Sequence, residues 1–331
     1  MSAALHLAKR GVRAVVLEAG RFGDGASGRT GGIVLEGTAR GSLAGTDTCI
    51  ASLERLVREE KIDCDLRLNG CWEIEHVGAE SGDRMLPWSD GETRVRVART
   101  VAGGAIDPSG LLAGLANAAA RAGAILYENA RVRRLTAEKP PLIEAGGASF
   151  RPRTAVVAVN AWIESLALSV RPVRSALTLA LATEPLDARA RHELGLEGVP
   201  FYTADLPYLW GREMADGRVI FGGGLMFGLP DELEQIDIQT GTSKAGLDRL
   251  EERVRGFHPI LRDVGLSARW AGPIAIPDRA IPLLGRMPNA PSVIVAGGYA
   301  GHGVALSVRA GELVARAIVE NKPLPPWGAV A

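Results

Sequence analysis

No cysteine follows Cys71 in this chain of 331 residues, and the three present, Cys49, Cys64 and Cys71, are odd in number and lack paired metal-ligand spacing. A disulfide framework is therefore not expected, and the thiols read as reduced and partly buried. Histidine is nearly as scarce: His6, His76, His192, His258 and His302 form no H-x-x-x-H pair, so no metal site is expected. An excess of one charge is missing too. Lys plus Arg and Asp plus Glu each number 38, so no global field draws the chain to nucleic acid or to an anionic membrane. No apolar run reaches the roughly 20 residues of a membrane span, and the opening helix lacks the long apolar core of a signal peptide. A cytoplasmic protein with neither a nucleic-acid partner nor a membrane span is expected.

A chain of this length with 47% hydrophobic residues can bury a large core, and its size suggests two lobes. The opening MSAALHLAKRGVRAVVLEAG reads as a helix over 2–10, a stop at Gly11 and a buried strand from Arg13 to Glu18. In a dinucleotide-binding βαβ unit that helix is entered from a strand through G-x-G-x-x-G, and nothing of the kind precedes it here. Five glycines then fall between Gly23 and Gly32 in GDGASGRTGG, a run that is neither an ordinary helix nor a strand. Helical spacing returns over Thr46 to Glu60, followed by the alternating LRLNGCWEIEHV. Asp107 and Pro108 can start an Ala-rich helix that ends at Gly123, with a strand at Ala124 to Tyr127, and Ala155 to Val159 is a strand closed by Asn160.

From about 163 the character changes. LTLALATEPL reads as a strand, LPYLWGREMADGRVIFGGGLM as a hairpin turning at Ala215 to Arg218, and a helix follows the polar PDELEQ stretch from Ser243. The end returns to strand, glycine turn and helix in SVIVAGGYAGHGVALSVRAGELVARAIVEN. The expected architecture is α/β, α+β overall. Residues 1–62, 105–162 and 268–331 would build a discontinuous Rossmann-like nucleotide lobe, and 63–104 and 163–267 an antiparallel-sheet substrate lobe.

Three places can carry chemistry. Glu18, at the carboxyl end of a strand, can accept hydrogen bonds from both hydroxyls of an adenosine ribose, or simply cap a surface strand. The exposed N–H groups of the glycine run, with Ser27, Arg29 and Thr30, could hold phosphates, or form a solvated loop. In AGGYAGHGVALS a buried strand runs into Gly297, Gly298, Tyr299, Gly301, His302 and Gly303 before the closing helix, whose N-terminal N–H groups could stabilise negative charge. His302 could donate a proton there or cap the helix. Tyr208 and Trp210 fall on one face of a strand and could wall a pocket, or pack as sheet side chains.

These segments, together with IDPSGLLAGLANAAARAGA, VVAVNAW, GRVIFGG and WAGPIAIPDRAIPLLGRM, resemble the FAD-dependent oxidoreductases of the D-amino-acid-oxidase and glycine/sarcosine-oxidase type, closest to the gamma-glutamylputrescine-oxidase-like branch. The resemblance covers almost the whole chain. It implies that Glu18 holds the adenosine ribose, Arg21 neighbours the adenine, and Ala26, Ser27, Gly28, Arg29, Thr30, Gly31 and Gly32 form the second FAD loop. It further places Val132 beside adenine, Asn160 at a strand end near the cofactor, and Gly298, Tyr299, Gly301, His302, Gly303 and Val304 at the flavin ring. Two departures inform the chemistry. Members that attach flavin covalently do so through a cysteine shortly before the terminal glycine loop, and none follows Cys71 here, so FAD should be noncovalent. Where amino-acid oxidases of the family clamp a substrate carboxylate with an arginine after W-x-G, this chain has Gly272, Pro273, Ile274 and Ala275, which favours an amine, or a substrate whose carboxylate lies elsewhere, over a simple α-amino acid.

The expected reaction is oxidation of the C–N bond of an amine or amino-acid derivative to an imine, with oxygen as acceptor and His302, Tyr208 and Trp210 as the catalytic candidates. Family members begin with a strand and G-x-G-x-x-G, so an N-terminally shortened chain is also expected. The rivals are a nicotinamide-dependent dehydrogenase and a noncatalytic, cofactor-free fragment.

Overall fold

The computed structural model describes residues 1–78, 84–136, 138–166, 168–205, 207–229, 232–233 and 237–330. Part of the PDELEQ stretch, 230–231 and 234–235, lies outside them, as does 236. Helix α1 (Ser2–Ala8) and strand β1 (Val15–Leu17) open the chain, followed by the four-residue α2 (Ala26–Arg29) and by β2 (Ile33–Leu35) and α3 (Cys49–Glu60). Strands β3 (Cys71–Val77), β4 (Met85–Asp90), β5 (Thr93–Val101) and β6 (Gly103–Ala105) lead to α4 (Pro108–Arg121). That helix starts as its sequence requires: the Asp107 carboxylate accepts from the N–H groups of Ser109 and Gly110 at 3.0 and 3.1 Å, and Pro108 occupies the first turn, where no N–H is needed. Gly123, at φ +98°, turns the chain into β7 (Ile125–Tyr127).

Strands β8 (Val132–Thr136), β9 (Leu142–Ala145) and β10 (Ala148–Phe150) form a small antiparallel sheet before β11 (Ala155–Val157). Then come β12 (Val173–Thr183), α5 (Ala188–Leu194), β13 (Phe201–Thr203), β14 (Leu209–Glu213), β15 (Val219–Phe227) and α6 (Gly241–Phe257). The chain closes with β16 (Leu266–Pro277), β17 (Leu283–Met287), β18 (Ala290–Gly297) and α7 (Gly303–Val319). The β14–β15 hairpin turns where expected, with Met214 N–H donating to the Arg218 carbonyl at 2.8 Å and Gly217 at φ +86°.

Two separate parallel patches are present. β1 pairs with β7, and β11 pairs with β18, which carries β17 antiparallel on its other edge. Among the described strands none bridges the two patches. α1 packs on α7, where Gly311 leaves room for Ser2 and Ala3, and the Ser2 hydroxyl donates to the Val308 carbonyl at 2.8 Å.

The largest sheet has eight strands in the order β16–β12–β15–β14–β13–β3–β5–β4. The expected boundary between 267 and 268 falls inside β16, whose pairing with β12 runs on to Pro277. Alternation splits this sheet into two faces. Leu177, Leu179, Leu181, Phe201, Leu209 and Phe221 point to a core capped by α6. Trp88 sits in that core fully buried, its ring centroid 4.8 Å from Phe201 and 5.0 Å from Phe257, and its indole N–H donates to the Leu194 carbonyl at 2.6 Å. Trp88→Ala is expected to lower unfolding free energy by about 3–5 kcal/mol in a urea melt. A loss below ~1 kcal/mol would show that this cluster does not hold the lobe.

Candidate functional site

The opposite face of the sheet looks into a cavity of about 1900 Å³ that also reaches β1, β11 and the starts of α2 and α7. Small-molecule pockets usually measure ~300–1,000 Å³, so this space exceeds the needs of one small substrate. Its lining comes from several separate segments of the chain.

At the nucleotide end, Glu18 follows β1 directly. Its backbone N–H donates to the Tyr127 carbonyl at 2.9 Å and its carbonyl accepts from Ala130 at 2.7 Å, so the backbone is fixed on both sides. The carboxylate accepts from Gly20 N–H at 3.0 Å and lines the cavity, as does Val132 at the start of β8. Arg21 is exposed and stands outside the lining.

In the middle, Ala26, Ser27, Arg29, Thr30 and Gly31 line the cavity, whereas Gly28 and Gly32 stand behind it. Both rear glycines are sterically required. A Cβ on Gly28 would overlap the Gly23 carbonyl oxygen, and one on Gly32, at φ +76°, the Ile106 carbonyl oxygen. Gly23, Gly25 and Gly28 do fall at G-x-G-x-x-G spacing, but here the spacing closes the loop on itself ahead of a helix of one turn.

The far glycine loop leaves β18 at Gly298, whose N–H donates to the Asn160 side-chain oxygen at 3.0 Å. Asn160, at φ +47°, thereby ties the end of β11 to the end of β18 and also lines the cavity. Tyr299, Gly301, His302, Gly303 and Val304 line it as well, while Gly298 does not. His302 is the residue preceding α7, yet its ring makes no capping bond; its nearest partner is the Ala300 carbonyl at 3.5 Å. The first N–H groups of α7 therefore face the cavity without a side-chain cap. Burial lowers the His302 pKa, with the Ala300 carbonyl opposing, which keeps the ring neutral near pH 7.

At the sheet end, one cross-strand row runs Trp270, Ala180, Gly222, Trp210, Tyr202 and Glu73. The Trp210 indole fills the space between the sheet and the glycine loop, since a Cβ on either Gly31 or Gly222 would overlap it. The Trp270 indole N–H donates to the Arg29 carbonyl at 2.9 Å, and Arg29 Nη1 donates to the Ala271 carbonyl at 3.2 Å. Behind them Arg212, only 3% exposed, donates Nε–H to the Gly31 carbonyl. Burial, with Arg67 nearby, lowers its pKa to about 10, so it stays charged near neutral pH. Tyr208 precedes β14 rather than lying within it, but it lines the same end as Trp210. The Tyr202 hydroxyl donates to Glu73 at 2.7 Å, and Arg99 lowers the Glu73 pKa from the other side.

No cysteine sulfur reaches this space. Cys49, Cys64 and Cys71 are buried outside the lining, and burial pushes their pKa values up to about 12, 11 and 12, so they are unreactive thiols. Among the described residues no cluster of His, Cys, Asp and Glu could hold a metal, and no helix is long and apolar enough to cross a membrane.

A parallel βα framework, a carboxylate at a strand end, a tight glycine loop and an uncapped helix N-terminus around one large cavity are the features of a protein that binds a dinucleotide-sized cofactor. The comparisons with known proteins identify the cofactor. The family model described as DAO, FAD dependent oxidoreductase, matches residues 1–317, and the chain belongs to that family. Gamma-glutamylputrescine oxidoreductase of Escherichia coli (strain K12) is 27% identical, over 95% of this chain and 80% of that protein. Glycine oxidase of Geobacillus kaustophilus (strain HTA426) is 27% identical over 66% of this chain and 54% of its own length. The crystal structure of glycine oxidase from Geobacillus kaustophilus superposes with a TM-score of 0.77 at 21% identity, covering 97% of this chain and 91% of that one. The cofactor is therefore FAD, and the protein is a flavin-dependent oxidoreductase of mixed α/β fold. The cavity can take it: its volume exceeds that of an ordinary small-molecule pocket, and the uncapped α7 N-terminus in its lining favours negative charge.

Proposed function

We propose that this protein oxidises the C–N bond of a primary amine that carries no α-carboxylate, with oxygen as the final acceptor. The observation that carries the substrate class is the sheet wall. Thr178, Ala180, Gly272, Ile274 and Ile276 present no charge to the cavity, and none of the sheet residues in its lining carries a guanidinium; Arg174, across from Ile276, stands outside the lining and over the Phe227 ring. Arg29 enters from α2, but its Nη1 is committed to the Ala271 carbonyl. The name of the Escherichia coli relative contains putrescine, an amine, which supports the substrate half of the reading, and that of the Geobacillus kaustophilus relative, glycine oxidase, supports oxygen as acceptor though its named substrate is an α-amino acid.

In this reading Glu18 binds the adenosine ribose, Val132 the adenine, and the Ala26–Gly31 loop the pyrophosphate and ribityl chain. Tyr299 to Val304 would border the flavin, where the uncapped α7 N–H groups would stabilise negative charge. Bound FAD supplies the two-electron acceptor. The protein does the remaining work: the apolar wall excludes water and favours the uncharged amine, which alone can release its α-hydrogen with the electron pair. Tyr208 and Trp210 orient the substrate chain, and the neutral His302 ring accepts or returns a proton at the cavity edge. The amine loses two electrons and two protons to give an imine, oxygen gains both to give hydrogen peroxide, and water splits the imine into an aldehyde and ammonia.

Glu18→Gln is expected to weaken FAD about tenfold, because one charge-assisted hydrogen bond to the ribose is replaced by a neutral one. Fluorescence titration of the apoprotein with FAD reads this directly, and an unchanged Kd would remove Glu18 from the site. The substrate class is tested by peroxide release across a panel of primary amines and α-amino acids. Preference for α-amino acids would overturn it.

A further inference from the structure

On the core side of the same sheet, His76 in β3 stands between two carboxylates. Its Nε2 is 2.7 Å from Asp90 at the end of β4, and its Nδ1 is 2.9 Å from Asp205 in the loop between β13 and β14. Both ring nitrogens can satisfy a carboxylate only as donors, which requires the imidazolium. From α6, Arg253 grips Asp90 through Nε and Nη2 at 2.5–3.1 Å and donates to the carbonyls of Pro207 and Tyr208 at 2.7 and 3.0 Å. Two cations and two carboxylates thus form a neutral quartet. Glu75, Arg94 and Arg96, paired along β3 and β5, alternate to the opposite face, and Val95 lies directly across from His76.

This quartet has a direction. Asp90 is buried and held by Arg253 as well, whereas Asp205 has a side chain 43% exposed and its only charged partner in the quartet is His76. Asp205 belongs to the short connection that delivers Tyr208 to the cavity.

We propose that His76 is a positioning residue for substrate binding: as the imidazolium it fixes Asp205, and with Arg253 it holds Tyr208 against the amine end of the cavity. The inference rests on the reading of that end as the substrate site. Burial disfavours the charged ring, but the hydrogen bonds to Asp90 and Asp205 outweigh this and raise its pKa above the ordinary 6.5. A raised pKa makes the clamp complete below about pH 6.5, and it is lost as pH climbs through the folded value. One ring nitrogen then becomes an acceptor facing a carboxylate, and Asp205, the less anchored of the two, is released.

The test reads the loop without turnover. With 4-fluorophenylalanine in place of Tyr208, the ¹⁹F resonance of the FAD-loaded protein is followed from pH 5.5 to 9.5. A single titration above pH 6.5 is expected, absent in His76→Gln and moved to lower pH in Asp205→Asn, which keeps the sheet but removes the charge. The second arm is kinetic: the ratio of KM in His76→Gln to KM in the parent, for the primary amine turned over in the peroxide assay, should fall from about tenfold at pH 6 toward one at pH 9. A resonance that does not titrate, one that titrates equally in His76→Gln, or a KM ratio constant with pH would overturn the proposal. Failure of the amine reading itself would leave the ¹⁹F result standing, so the two can be told apart.

Discussion

Gly31→Ala is expected to weaken FAD binding by roughly tenfold to a hundredfold, although alanine is a conservative change and the backbone there is not left-handed. The added Cβ would overlap the six-membered ring of Trp210. The ring cannot retreat, because its other side lies against Gly222, where a Cβ would overlap it too. Nor can the loop rise freely: its Gly31 carbonyl is bound by Arg212 and its Arg29 carbonyl by Trp270. Overpacking of such a site costs about 1–3 kcal/mol, and here the cost falls on the loop that faces the cofactor. The same geometry predicts a rescue. Trp210→Phe shortens the ring, so the double variant Gly31→Ala/Trp210→Phe should bind FAD more tightly than Gly31→Ala alone, with a coupling of about 1 kcal/mol or more in the cycle. Additive effects would show that the indole is not wedged between the two glycines.

Ile274→Arg should exchange one substrate class for another. Ile274 lines the cavity on β16, two residues from Gly272 and in register with Ala176 of β12. A guanidinium there occupies apolar space that the carbon chain of an amine would use and supplies the carboxylate partner the wall lacks. Hydrogen bonds to a charged group contribute ~1.5–3 kcal/mol, so kcat/KM for α-amino acids should rise by about ten- to hundredfold while that for the primary amine falls by a similar factor. Flavin content measured alongside distinguishes a change of specificity from loss of cofactor. An enzyme that keeps its amine preference after this substitution would place the substrate elsewhere in the cavity.

Much of this could be read along the chain where the signal is local. The Asp107–Pro108 helix start, the turn at Ala215 to Arg218 and the acid that ends β1 are each fixed by a few adjacent residues, and each lies where the sequence places it. Helix and strand ends are less exact. The expected strand from Arg13 shortens to Val15–Leu17, and the helix expected from Thr46 starts at Cys49, where Glu36 rather than a residue of the helix accepts from its first N–H groups. The sheet β8–β9–β10 carries no strong alternation and could not be read from the chain. The features that organise the site were also silent. Trp210 meets Gly31 and Arg212 meets the Gly31 carbonyl across about 180 residues, and His76 meets Asp205 across 129. Glycines in β15 and in the loop advertise backbone freedom, whereas their function here is to leave space for an indole supplied by a third segment. The buried charge of Arg212 had no signature either, since GRE after an aromatic strand reads as an ordinary hairpin arm.

The most direct measurement combines cofactor and substrate in one cuvette. The purified apoprotein is titrated with FAD, excess is removed, and the visible flavin band is followed without oxygen as a primary amine, then an α-amino acid, is added. The account predicts one FAD per chain, released on denaturation without proteolysis, whose band bleaches with the amine, persists with the amino acid, and returns with peroxide when oxygen is admitted. A protein that retains no flavin, or one whose flavin bleaches with the amino acid in preference to the amine, would contradict it.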